Sequence, residues 1–103
     1  MPASARTTIE PTLHTVASGD VTLALYAWGK VRKGQAPIIL VHGYPDSARV
    51  WHATAEILAV NHRVYAYDVR GAGHSSRPTK TADYTLDHLM ADLDAVIDAV
   101  SPD

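Results

Sequence analysis

The stretch Pro37-Ile38-Ile39-Leu40-Val41-His42-Gly43-Tyr44-Pro45-Asp46-Ser47 decides the fold. Ile38 to Val41 is a continuous apolar run rich in β-branched residues, with no polar alternation. A strand covered on both faces reads this way, and such strands are usually parallel. His42-Gly43-Tyr44-Pro45 ends the strand sharply. Asp46 or Ser47 can then cap a helix over about residues 48–60. Trp51, Ala55 and Leu58, with Val50 and Ile57, supply its apolar stripe. Arg63 to Tyr67 repeats the buried-strand pattern. Strand, helix and strand in this order predict a right-handed parallel crossover.

Toward the N-terminus, Leu13–Ala17 and Val21–Trp28 are two short apolar runs separated by Ser18, Gly19 and Asp20, which predicts a hairpin. Val21, Leu23 and Leu25 share one face of the second run; Thr22, Ala24 and Tyr26 share the other. Gly29–Ala36 is a polar loop. Residues 1–11 show no strand or helix period and are expected to form a loose arm, leaving residues 12–103 as one domain. Toward the C-terminus, Asp68–Pro78 is a loop rich in Gly and Ser. Thr85 can cap a last helix, with Asp87 set for the N-terminal dipole. Leu86, Leu89, Met90, Leu93, Val96, Ile97 and Val100 recur at helical spacing, with Asp92, Asp94 and Asp98 assigned elsewhere on its surface. That periodicity reads as packing on a sheet, and Pro102 stops the helix.

The 103 residues carry 9 Lys+Arg and 11 Asp+Glu, a net charge of −2. This balance offers no electrostatic footprint for nucleic acid or an anionic membrane. With 47% apolar and 19% charged residues, the chain has the composition of a folded domain. The absence of Cys excludes disulfides, thiolate nucleophiles and thiolate metal sites. No segment reads as a signal peptide or a membrane span, and a cytoplasmic location is expected. His14, His42, His52, His62, His74 and His88 show no H-x-H or H-x-x-x-H spacing, so no metal site is expected. Tyr26, Tyr65 and Tyr67 fall in strands and read as packing residues.

Two motifs follow the two buried strands: His42-Gly43-Tyr44-Pro45-Asp46-Ser47 and Asp68-Val69-Arg70-Gly71-Ala72-Gly73-His74-Ser75-Ser76-Arg77-Pro78. Together, at this spacing, they resemble the N-terminal part of the α/β-hydrolase fold. The HGxP form is most similar to epoxide hydrolases, including hydrolase domains that some actinobacteria fuse to a short-chain dehydrogenase. The resemblance implies an α/β fold, with four strands in the order 1-2-4-3, an antiparallel first hairpin and Ile38–Val41 at an uncovered edge. It also implies that the backbone N–H of Tyr44 forms half of an oxyanion hole, with His42, Gly43, Pro45 and Asp46 shaping the site. Gly43 would let backbone and substrate approach, and His42 would brace the loops rather than act as a base. Asp68, Arg70, Gly71, Gly73, Ser75 and Pro78 are implied to be structural, with Asp68 and Arg70 holding neighbouring loops by charge-assisted hydrogen bonds.

Two similar patterns fail. Gly73-His74-Ser75-Ser76-Arg77 begins like a nucleophile elbow but ends on Arg77. Gly71-Ala72-Gly73-His74-Ser75-Ser76 begins like a dinucleotide fingerprint but has Ser76 at the third glycine, with Pro78 interrupting any helix. The family's nucleophile, acid, base and lid tyrosines match no residue of this chain. The reading is therefore an N-terminal segment of an epoxide-hydrolase-like enzyme, inactive alone, that needs no cofactor and whose complete form takes a small hydrophobic substrate. The alternative is a non-catalytic remnant that self-associates through the open sheet edge; a dinucleotide-binding fragment of an oxidoreductase ranks below both.

Overall fold

The computed structural model describes residues 10–43 and 46–101. Strand β1 (Thr12–Ser18) and strand β2 (Val21–Trp28) form an antiparallel hairpin in which Ser18 faces Val21. The two-residue connection places Gly19 at φ 57°, while Asp20 keeps a negative φ. That combination is the signature of a II′ turn, whose twist matches the flanking strands. Strand β3 (Ile38–Val41) leads through a 3-10 turn (Ala48–Trp51) into helix α1 (His52–Leu58), then into strand β4 (Val64–Tyr67). A second 3-10 turn (Thr81–Tyr84) precedes helix α2 (Leu86–Val100).

The sheet order is β1-β2-β4-β3. β4 pairs antiparallel with β2, Tyr26 opposite Ala66, and parallel with β3, Leu40 opposite Ala66. Residues of β2 and β4 alternate between two apolar layers. Leu23, Leu25, Ala27, Tyr65 and Tyr67 pack with Val16 and with Val96 of α2. Trp28, Val64 and Ala66 pack with Ala48, Ala55 and Ala59 on the α1 side. Full burial of a Val or Leu side chain contributes about 1.5–3 kcal/mol, so the central pair β2·β4 carries the greater part of the stabilisation.

Several expectations need correction. β3 lies at the edge of the described sheet, as the resemblance implied, but it is not covered on both faces: Ile38–Leu40 are only partly buried and Val41 is 42% exposed. The helix predicted over residues 48–60 is a 3-10 turn followed by seven helical residues. Its supposed stripe residues Val50 and Ile57 are exposed, Ile57 by 74%. In α2 the outer residues Leu86, Met90 and Ile97 are also exposed. Thr85 precedes α2 but gives no side-chain cap; its hydroxyl lies 2.8 Å from Nδ1 of His88 instead. Asp92 is buried at 1% exposure, not on the helix surface. The arm assigned to residues 1–11 lies outside the described residues up to residue 9; Glu10 is exposed and Pro11 partly so. No described helix is long and apolar enough to cross a membrane.

Candidate functional site

The parallel strands β3 and β4 end side by side, and the two motif loops leave from their carboxyl ends. Crevices at this end of a parallel sheet are where ligands bind in open α/β folds. His42 is buried between the loops. Its Nε2 accepts the N–H of Val69 at 3.0 Å, and its Nδ1 lies 2.8 Å from the Gly43 carbonyl. An acceptor at Nε2 and a carbonyl at Nδ1 fit the tautomer with its proton on Nδ1. Both ring nitrogens are thus occupied within the loops.

The Gly43 carbonyl also accepts the Asp46 N–H at 2.9 Å. Gly43 is exposed, and a Cβ added to it would meet nothing within 4 Å. Tyr44 and Pro45, the expected oxyanion donor and the residue fixing the turn's exit, lie outside the described residues. Asp46 is exposed and lines a cleft of about 1180 Å³ with Ser47, Arg49, Val50, Arg77 and Tyr84. Pro78 is partly buried, and its carbonyl accepts the Tyr84 hydroxyl at 2.6 Å.

Asp68 closes β4 and is 1% exposed. Its Oδ1 accepts the Ala48 N–H at 2.8 Å; its Oδ2 accepts the His74 N–H and the Tyr26 hydroxyl, each at 3.0 Å. Gly73, at φ 50°, lies so close that a Cβ there would collide with this carboxylate. Ser75 donates its hydroxyl to the Asp68 carbonyl and accepts the Ala24 N–H at 2.8 Å. The Ser76 hydroxyl likewise accepts the Thr22 N–H, so this irregular loop continues the hydrogen bonding of β2.

Arg70 is buried and bidentate on Asp92, with Nε to Oδ2 at 2.7 Å and Nη2 to Oδ1 at 2.8 Å. Its Nη1 donates to the Asp83 carbonyl at 2.7 Å, and Ser18 donates its hydroxyl to Asp92 Oδ1 at 2.7 Å. The Asp92 hydrogen bond holds the Arg70 guanidinium above its ordinary pKa, against the opposing effect of burial. Burial, helped by Asp92, pushes the Tyr67 phenol up to about 12.

Reading residues by type misplaced Asp92; Tyr26 packs in its strand as expected, and its hydroxyl in addition reaches Asp68. The signal for Asp92 was present: it falls four residues before Val96 and three after Leu89, on the stripe that packs inward. An acid there needs a cation, and Arg70 supplies it. No such signal marked Tyr26, because strand periodicity does not say which loop a phenol reaches. In the loop after β4 the amides of Gly71, Ala72, His74 and Ser75 donate to Ser76, Val69, Asp68 and Ala72, and a buried carboxylate sits against Gly73.

The description "alpha/beta hydrolase fold" matches residues 36–103. The chain is 45% identical over 65 residues to "Probable oxidoreductase EphD" of Mycobacterium tuberculosis, covering 63% of this chain and 11% of that protein. It is 35% identical over 91 residues to Epoxide hydrolase A of Mycobacterium tuberculosis, covering 87% of this chain and 28% of that one. The crystal structure of Epoxide Hydrolase A from Mycobacterium thermoresistibile superposes with a TM-score of 0.78 at 32% identity, over 87% of this chain and 28% of that chain. The chain thus spans between about a tenth and under a third of the length of these relatives. With the order β1-β2-β4-β3, the paired motif loops and a match over two-thirds of its length, the chain belongs to the α/β-hydrolase family and is similar to the epoxide hydrolases within it.

Proposed function

We propose that this chain is the segment of an epoxide-hydrolase-like enzyme that stabilises developing negative charge, through the backbone N–H of Tyr44, while nucleophile, acid and base come from residues beyond these 103. One observation carries the reading: the turn after β3 is clamped at both ends to the β4 loop, His42 to Val69 and Ala48 to Asp68, with Gly43 open on its outer side. A preorganised donor in such a turn acts without reorganising during reaction, and losing one costs on the order of 3 kcal/mol. The substrate is a small hydrophobic epoxide, by similarity to the named hydrolases. The chain alone has no turnover, since none of its residues occupies the family's nucleophile, acid or base positions. The word oxidoreductase in one relative's name is not carried over, because the shared segment is 11% of that protein.

The test is Gly43→Ala in the full gene product that carries this chain. No neighbour opposes the added methyl and φ is not left-handed, so thermal stability should hold. Diol formation from styrene oxide should fall about tenfold or more, because a displaced reacting atom weakens the chemistry steeply. Unchanged turnover would remove the turn from the reaction.

A second reading rests on the edge position of β3. Among the described residues Ile38–Val41 pairs on one side alone, and an apolar edge of this kind templates association. Sedimentation of the 103-residue chain should then show concentration-dependent dimers that Val41→Lys abolishes; a monomer at all concentrations removes this reading.

A further inference from the structure

We infer that Tyr26 is a positioning residue for the turn that follows β3: its hydroxyl fixes the Asp68 carboxylate, and that carboxylate fixes the Ser47–Ala48 end of the turn. The inference rests on the proposed function wherever it concerns catalysis; its geometric part stands independently. Asp68 is a buried carboxylate with no Lys, Arg or His within ion-pairing distance among the described residues. Its stabilisation comes from three neutral donors: the Tyr26 hydroxyl, the His74 amide and the Ala48 amide. Two belong to the loops that must be held. The third comes from β2, whose residue Tyr26 is paired with Leu13 on one side and Ala66 on the other. Tyr26 is thus the anchored member of the set.

The torsion that turns an Asp carboxylate is broad and weakly restrained by the side chain itself. Its orientation is therefore set by its donors. With the Tyr26 hydroxyl removed, Oδ2 keeps the His74 amide alone, and Oδ1 is free to swing from the Ala48 N–H. Burial, then the charge and hydrogen bond of Asp68, push the Tyr26 phenol up to about 12, so the hydroxyl remains a donor throughout the neutral range. The simpler role, a packing ring, is also visible. Tyr26 lies 5.7 Å from the His52 ring at 61° and 6.4 Å from the Trp28 ring. Tyr26→Phe keeps that packing and deletes the hydroxyl, so one substitution separates the two roles.

The measurement is amide hydrogen exchange by NMR in the 103-residue chain and its Tyr26→Phe variant. The Ala48 and His74 amides should exchange about tenfold faster in the variant, with amides of β4 unchanged, as expected for local opening. Unchanged protection at Ala48 and His74, or the same acceleration at every amide, overturns the inference. In the full gene product the variant should lower kcat about three- to tenfold at unchanged KM, the pattern of a group that acts through placement. Faster exchange at Ala48 and His74 with unaltered kcat would overturn the catalytic consequence. A full gene product without hydrolase activity would refute the proposed function, and the exchange result would still decide the geometry.

Discussion

The loop between β4 and α2 and the flank formed by β3 are unlike in a way that secondary structure alone would invert. The loop is irregular, yet its groups are satisfied. Asp68 accepts three hydrogen bonds, and Arg70 is bidentate on Asp92. Ser75 and Ser76 bond to β2. The flank is a regular parallel strand, yet its residues are only partly covered, and Val41 is exposed. Regularity satisfies the backbone; burial and polar pairing complete a core. Stability in this chain should therefore concentrate in β2, β4 and the polar clamps, and be low along β3.

The strongest way to break this contrast is Arg70→Ala or Asp92→Ala. Each leaves an uncompensated buried charge, and loss should be about 3–5 kcal/mol by urea unfolding. Replacing the pair together, as Arg70→Met with Asp92→Leu, should recover most of it, because the penalty is the unpaired charge rather than the absent bridge. A single variant that unfolds like the parent would mean that the clamp contributes little. Next in size is a comparison of two leucines. Leu23 is fully buried in β2 and Leu40 is partly buried in β3. Leu23→Ala should cost about 2–5 kcal/mol and Leu40→Ala clearly less. Equal losses would show that the edge strand is as tightly packed as the centre.

Alkali sharpens the same point more gently. Tyr26 and Tyr67 both titrate near 12 in the folded chain against an ordinary value of 10.0. Folding thus retains protons that the unfolded chain releases. The associated stability is fully present below pH 10 and is lost as pH rises from 10 toward 12. Urea midpoints should be level to pH 9 and fall across that window, and the fall should shrink in the Tyr26→Phe, Tyr67→Phe double variant. A fall of the same size in the double variant would assign it to other groups.

The fold was legible because its signals are local and redundant. The Ile38–Val41 run marks a buried-type strand and the glycine between the first two runs marks a hairpin, while the strand order came from the resemblance carried by the two motif loops. Less legible was how far each element is covered. Val50, Ile57, Met90 and Ile97 fit a helical period but face outward, since period fixes a direction and not whether anything lies there. In the site, the resemblance marked His42, Asp68 and Arg70 as residues expected to brace loops. The contacts of Tyr26 with Asp68, Asp92 with Arg70 and Ser18 with Asp92 were not legible, because they join residues 42, 22 and 74 positions apart. Asp92 is the instructive case: an acid on an inward stripe is a statement that a cation waits inside the fold.

The smallest expected effect tests the outward stripes. Ile57 and Met90 are large apolar side chains with 74% and 53% exposure. Substituting either by Ser removes little buried area, so thermal unfolding of the isolated chain should change by no more than about 0.5 kcal/mol, the range of ordinary surface positions. Serine is a slightly poorer helix former than Met and about equal to Ile, which sets the sign of any remaining effect toward loss at position 90 and leaves position 57 near zero. If the stripes are covered by a second copy of the chain, the same substitutions would instead lower stability by an amount that grows with the logarithm of protein concentration, because association stabilises the folded state by mass action. Unfolding curves at two concentrations a hundredfold apart separate the cases. Superposed curves with a negligible shift keep the stripes as exposed surface, whereas a concentration-dependent loss would move Ile57 or Met90 into an interface and extend the open flank beyond β3.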